Sequence, residues 1–259
     1  TEIYTLSLHD ALPILITNRE ELLTPTAFIQ STHNTVAGQI ALLLKCHNYN
    51  FTYVHRGASF ETALTDAMMQ MQSGTFASVL TGATDEITQG YLDITGRMGL
   101  WRNNASSGPA VPGEGATFFL LETTSQEHSY AKLTGIHFFN TPEGNESPAT
   151  MLDTFLAEHG LRHQDIGLVM VGAGGNPEHD PFYTSALNDF PAQTLVGRFK
   201  YLCGEYPTAS AFAMGLASLI LKSGSFPEGF LHRRQTTSPE HTDYRSEERR
   251  VGKECRSRW

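Results

Sequence analysis

Apolar stretches of strand length alternate with apolar stretches of helix length along most of this chain, and that alternation restricts it to layered α/β architecture. Helical spacing is read over residues 35–44, 60–72, 149–159, 182–190 and 209–223. Strand character is read over 51–54, 78–82, 117–122, 131–139, 166–171 and 193–196. Strands lying between helices are expected to be buried on both faces. Residues 103–112 and 140–148 are rich in Asn, Ser, Gly and Pro and are expected to be loops.

The two ends stand apart. Residues 1–14 (TEIYTLSLHDALPI) and 245–259 (RSEERRVGKECRSRW) read as translated sequencing-adapter DNA, and are set aside before the fold is considered. The apolar run at 12–16 is not preceded by a basic region and is not read as a signal peptide. That leaves 15–244 as one domain, expected to be a fragment truncated at both ends. Within it 12 basic side chains stand against 22 acidic ones, a formal charge of −10 where the whole chain has −9. This balance argues against nucleic acid or an anionic membrane as partner. An acidic partner would need a local basic patch, for which Arg97, Arg102 and Arg198 are candidates. No apolar run approaches the ~20 residues of a membrane helix. Cys46 and Cys203 have neither zinc nor disulfide spacing, which fits a reducing cytoplasm; no metal and no cofactor is expected.

The chemistry-bearing stretch is Tyr53 to Glu61, which reads Tyr-Val-His-Arg-Gly-Ala-Ser-Phe-Glu and runs straight into the helix ending at Ser73-Gly74. A short strand, a sharp turn and a helix start would present a nucleophile on a helix N-terminus, where the dipole favours a thiolate. With Val79 to Glu86 behind it, this stretch resembles the nucleophile segment of the β-ketoacyl-[acyl-carrier-protein] synthases. The resemblance covers nearly all of 24–231. Gly113-Glu114-Gly115-Ala116 leading into 118–122 resembles the family's Gly-Glu-Gly-Ala strand start. Residues 169–181 are similar to the segment of the first active-site histidine, and 199–204 to that of a lysine followed by a second histidine.

The resemblance implies a thiolase-like layered αβαβα fold, present as an incomplete fragment of a duplicated core. Matched on these motifs, Gly57 stands where the family has its cysteine, Gly172 at the first histidine and Glu205 at the second, while Lys200 is retained. In the family the cysteine carries the acyl chain and the histidines stabilise the enolate left by decarboxylation. Glycine has no side chain to react, and an ionised glutamate repels an enolate. No catalytic residue is therefore expected, and Lys200 is expected to pair with Glu205 or Asp180. The implied role is a chain-length-factor-type subunit of fatty acid or polyketide (aryl-polyene-type) biosynthesis. Its implied partners are an active synthase in a heterodimer, or itself in a homodimer, and an acyl carrier protein.

The residues also admit two other readings. An active condensing or decarboxylating enzyme with a rearranged site would need a replacement nucleophile, and Ser59, His55 and Cys203 are the candidates. A third reading is an acyl- or carrier-binding protein without a catalytic partner. Cys203 is read as a small packing residue, and Cys46-His47 as the end of a helix. Residues 172–175 lack dinucleotide-binding glycine spacing, and His179-Asp180 alone is no metal site. Met68, Met69 and Met71 are read as core or dimer packing.

Overall fold

The computed structural model describes residues 32–101, 110–137, 147–175 and 180–232. The chain divides into two compact units, Thr1–His55 and Arg56–Trp259. In the first, helix α1 (Thr35–Leu43) ends where Cys46 N–H reaches back to Ala41 O, with Lys45 in the left-handed region at φ 54°. The Asn50 amide donates to Ala37 O at 3.0 Å and ties the following segment to the helix. The expected strand at 51–54 is not formed: those residues belong to no ladder among the described residues. Aromatic rings follow one another along it instead, Tyr49 stacked on Phe51 and the Phe51–Tyr53 and Tyr53–His55 pairs tilted, with centroids 5.0–6.0 Å apart. Alternation of side chains is a local property, whereas a strand exists only when a second backbone lies alongside.

In the second unit a 3₁₀ turn, Arg56–Ala58, leads into α2 (Ser59–Gln72). Phe60, Leu64 and Ala67 are its buried stripe, at the spacing of one helix face. It stops at Gly74, whose φ of 75° lets Gly74 N–H meet Met71 O. Strand β1 (Ser78–Asp85) pairs antiparallel with β2 (Gly115–Glu122), Thr81 opposite Phe119. Between them lies α3 (Gln89–Arg97), capped by the Thr88 hydroxyl accepting from Tyr91 N–H, a helix the periodicity did not suggest. Then follow α4 (Pro148–Glu158), β3 (Leu168–Val171) and α5 (Asp180–Leu187). Strand β4 (Leu195–Arg198) pairs parallel with β3, and α6 (Lys200–Cys203) precedes the long α7 (Ala209–Ser223). The expected strand at 131–139 is also absent over its described part, 131–137; Leu133 and Ile136 pack as loop residues against the Phe60 cluster. Residues 138–139 and most of the two loops expected at 103–112 and 140–148 lie outside the described residues.

Layering follows from which side chains meet. Phe60 and Leu64 of α2 and Ala211 and Met214 of α7 cluster with Ala83, Phe119 and Leu121, so both helices cover one face of β1/β2. The other side of α7 brings Leu216 and Ile220 against Leu168 and Met170 of β3. Val169 and Val171 point oppositely, and with Val196 they meet Tyr183 and Leu187 of α5. The order is sheet, paired central helices, sheet, outer helix, which is the α/β layering expected. Helix α7 is apolar around much of its circumference because it is packed on two sides. The far face of β1/β2 bears Leu80, Phe118 and Leu120, all exposed. Phe230 is fully buried, its ring laid over Gly197, where any Cβ would collide with it. Among the described residues no helix is long and apolar enough to cross a membrane.

Candidate functional site

The segment from Lys200 to Thr208 is where the family-matched positions of the second unit converge. It hangs between β4 and α7 and is clamped at both ends. Glu205 N–H donates to Val111 O at 2.8 Å, and Gly113 N–H donates to Glu205 O at 3.1 Å. Gly204 takes φ 77°, and a Cβ on Gly113 would strike the Cys203 carbonyl, so the two glycines let backbone pass against backbone. That contact explains Gly113 physically, and the Tyr206 hydroxyl, 2.8 Å from a Cβ built on Gly115, explains the second glycine of the run. At the far end Asp85 of β1 accepts from Thr208 N–H at 2.8 Å and from the Thr208 hydroxyl at 2.6 Å, anchoring the start of α7.

Lys200 and Glu205 form the ion pair expected of one of two partners. The Lys200 Nζ donates to both carboxylate oxygens, at 2.7 and 2.6 Å. Their side chains are 17% and 34% exposed, so the pair is partly withdrawn from water. Asp180, the other candidate, is engaged elsewhere: its oxygens accept from Gly174 N–H at 3.2 Å and Gly175 N–H at 2.9 Å, folding the glycine turn onto α5.

Gly172 follows β3 directly. A Cβ there would lie 2.8 Å from Tyr183 Oη, 3.2 Å from Lys200 Cε and 3.3 Å from Phe199 Cζ. The room a larger side chain would use is thus taken by a tyrosine and by the lysine. Gly57 differs. Its nearest obstacle is Pro207 O, 3.9 Å from a built Cβ, and its φ lies outside the left-handed region. Neither space nor backbone demands glycine there. The left-handed residue of this turn is the one before it, Arg56, at φ 53°. That conformation costs a non-glycine residue about 1–2 kcal/mol.

The replacement nucleophiles fare as follows. Burial raises the Cys203 thiol to about 11, against the smaller lowering effect of a hydrogen bond with Tyr206, and its Sγ–H donates to Gly204 O at 3.3 Å. A thiol so raised is protonated at neutral pH and a poor nucleophile. The Ser59 hydroxyl donates to Arg56 O at 2.8 Å inside the turn, and His55 belongs to the first unit, its ring against Tyr53. Cys46 is exposed just beyond α1, as expected of a helix-end residue. Met69 is exposed on α2, while Met68 and Met71 are half-buried. Arg97 ends α3 and Arg198 ends β4, where its guanidinium donates to Tyr201 Oη; Arg102 and His179 lie outside the described residues. Among the described residues no three His, Cys, Asp or Glu side chains are grouped to hold a metal.

Sequence reasoning missed Tyr183. It is half-buried, and that burial chiefly raises its phenol above the ordinary value, so it remains a neutral hydrogen-bond donor beside Gly172. Only a signal from the fold could have revealed it, since it sits on α5 while its neighbours lie on β3 and α6.

No family model matches the chain, and no curated protein matches it in sequence. Solved structures do. One is "The ishigamide ketosynthase/chain length factor", with a TM-score of 0.66, 16% identity and 86% of this chain covered. Another is a type II polyketide synthase acyl-carrier protein in complex with its ketosynthase, AntDE:AntF, at TM-score 0.68, 16% identity and 84% coverage. A third is the ketosynthase ApeO in complex with its chain length factor ApeC from Xenorhabdus doucetiae, at TM-score 0.62, 19% identity and 84% coverage. This chain spans only 62%, 62% and 59% of those chains. At such identities the likeness establishes a shared fold, the α/β fold of ketosynthases and chain length factors.

Proposed function

We propose that this chain is a β-ketoacyl-synthase-like protein of fatty acid or polyketide biosynthesis, of aryl-polyene type, acting as a non-catalytic, chain-length-factor-type subunit beside an active synthase. One observation carries the reading: Gly57, Gly172 and the Lys200–Glu205 pair gather around the 200–207 segment. Condensation needs a thiolate to take the acyl chain and donors aimed at a developing enolate. Gly57 offers no thiolate. Gly172 has only its backbone N–H, and its side-chain space is filled by Tyr183 and Lys200. Glu205 brings negative charge and neutralises Lys200. Such a set of residues suits the shaping or holding of an acyl chain better than its elongation.

The partners under this reading are an active synthase, as heterodimer, or a second copy, as homodimer, together with an acyl carrier protein. Structures of a ketosynthase with its chain length factor and of a ketosynthase with its acyl-carrier protein share this fold, which supports the choice. The free thiols of Cys46 and Cys203 favour the cytoplasm as its place of work. The reading that Cys203 serves an active enzyme is disfavoured by its raised, protonated thiol.

The test is to incubate the chain with acyl-carrier and malonyl-carrier, alone and with a cysteine-bearing synthase, and to follow product and covalent adducts by mass spectrometry. Alone it should form neither ketoacyl product nor adduct; with the partner, product should form with the acyl group on the partner only. A thioester on Cys203 or an ester on Ser59 would refute the non-catalytic assignment.

A further inference from the structure

Lys200 is held by a carboxylate that the chain itself supplies, and that carboxylate is delivered with little freedom. The backbone of Glu205 is fixed on both sides, by its N–H to Val111 O and by its carbonyl accepting from Gly113. Its side chain then reaches back over five residues to place both oxygens on one ammonium. Opposite the pair lies bare backbone: a Cβ on Gly174 would stand 3.7 Å from Lys200 Cδ and 3.8 Å from Glu205 Oε2. Tyr183 Oη flanks the same glycine turn beside Gly172. The competing carboxylate, Asp180, already accepts from two N–H groups and leaves Lys200 to Glu205.

We propose that Glu205 fills a built carboxylate-binding site, formed by the Lys200 ammonium against the glycine backbone of 172–174, and that the native chain thereby excludes external carboxylates from Lys200. The inference deepens the reading above and rests on it for its meaning: a ketosynthase-type site closed to carboxylate-bearing ligands and left to neutral chains. Removing the Glu205 side chain strands a partly buried ammonium, which an external carboxylate of matching size can satisfy. No covalent step is involved.

The experiment uses the full chain and acetate as probe. Thermal midpoints of the parent, Glu205→Ala, Glu205→Gln and Lys200→Met/Glu205→Ala are measured in sodium acetate and in sodium chloride at equal ionic strength. Glu205→Ala should melt below the parent in chloride and regain about 3–6 °C in acetate, the shift expected when ligand exceeds its Kd about ten-fold. The parent should respond alike to both salts. So should Glu205→Gln, whose amide still fills the space, and the double variant, which has no ammonium. The proposal is overturned if acetate lifts Glu205→Ala no more than chloride does, or lifts the double variant equally. Should Glu205→Ala fail to fold in chloride, recovery of folded protein on refolding in acetate alone supports the proposal, and recovery in neither salt overturns it. No carrier or partner enters these measurements, so their failure leaves the subunit role standing, and failure of the partner assay leaves the carboxylate site standing.

Discussion

Asp85→Ala should be among the most damaging single changes beside the 200–208 segment. Asp85 ends β1, and its Oδ2 accepts from both the N–H and the hydroxyl of Thr208, at 2.8 and 2.6 Å. Thr208 is buried and immediately precedes α7, so the carboxylate both caps the central helix and binds it to the sheet across 123 residues of sequence. A hydrogen bond to a charged group contributes about 1.5–3 kcal/mol, and a favourable charge at a helix N-terminus about 0.3–1 kcal/mol. The two bonds share one oxygen and are not additive, so the expected loss is about 2–4 kcal/mol. In a chain of this size that lowers the thermal midpoint by roughly 5–12 °C. Urea unfolding followed by circular dichroism gives the free energy, and a double-mutant cycle with Thr208→Val isolates the coupling, expected at about 1–2 kcal/mol. Asp93→Ala, on α3, serves as control, since its carboxylate meets only the exposed Gln89 amide. A cost for Asp85→Ala no larger than that control, or a coupling near zero, would show that α7 is not held in this way.

Four further outcomes are expected. Cys203 and Tyr206 are raised, chiefly by burial, to about 11 and about 12 from ordinary values of 9.0 and 10.0. Their neutral forms are favoured in the folded chain, so the Cys203 share of stability is whole below about pH 9 and lost as pH climbs through about 11, and the Tyr206 share is whole below about pH 10 and lost through about 12; a midpoint flat from pH 9 upward contradicts the burial argument. At pH 8 iodoacetamide should mark exposed Cys46 and spare Cys203, whose thiolate fraction is about one in a thousand; equal labelling by peptide mapping would contradict it. Under the proposed role, the 51–54 segment, with Phe51 and Val54 exposed, pairs with a partner backbone; Tyr53→Pro should abolish co-purification with an active synthase, and light scattering that finds two separate monomers for the unmutated pair would rule the pairing out. If 1–14 and 245–259 are adapter-derived, their joint deletion should move the midpoint by less than about 1 °C, and a larger loss would make them part of the domain.

Much of the second unit was legible because its signals are local. Helix 209–223 is bounded by Thr208 and Gly224, and the structure forms it over those same residues, closing at Gly224 with φ 66°. The helix read at 60–72 begins one residue early, and β1 and β2 extend the expected strands by a few residues where the antiparallel ladder continues. The parallel strands slipped, to 168–171 and 195–198, because pairing register rather than hydrophobicity sets their ends. Helix α3 escaped notice because Gly90 and Gly96 lie inside it, where glycine argues against a helix that a Thr88 cap and packing nonetheless secure.

The residue types themselves determined what this chain lacks. Gly57 and Gly172 carry no reactive atoms in any fold, and Glu205 brings a negative charge wherever it stands. Sequence likewise determined that strands and helices alternate, since period and turn chemistry are read within a few residues. Tertiary structure decided the rest. It chose Glu205 over Asp180 for Lys200, because the glycine turn had already claimed both Asp180 oxygens. It left 51–54 outside any ladder among the described residues, and a ladder is set by the backbone alongside rather than by local alternation. It filled the space above Gly172 with Tyr183 from a helix eight residues onward, and it raised the Cys203 thiol out of reach by burying it. These are consequences of what lies beside a residue in space, and distance along the chain carries no record of that.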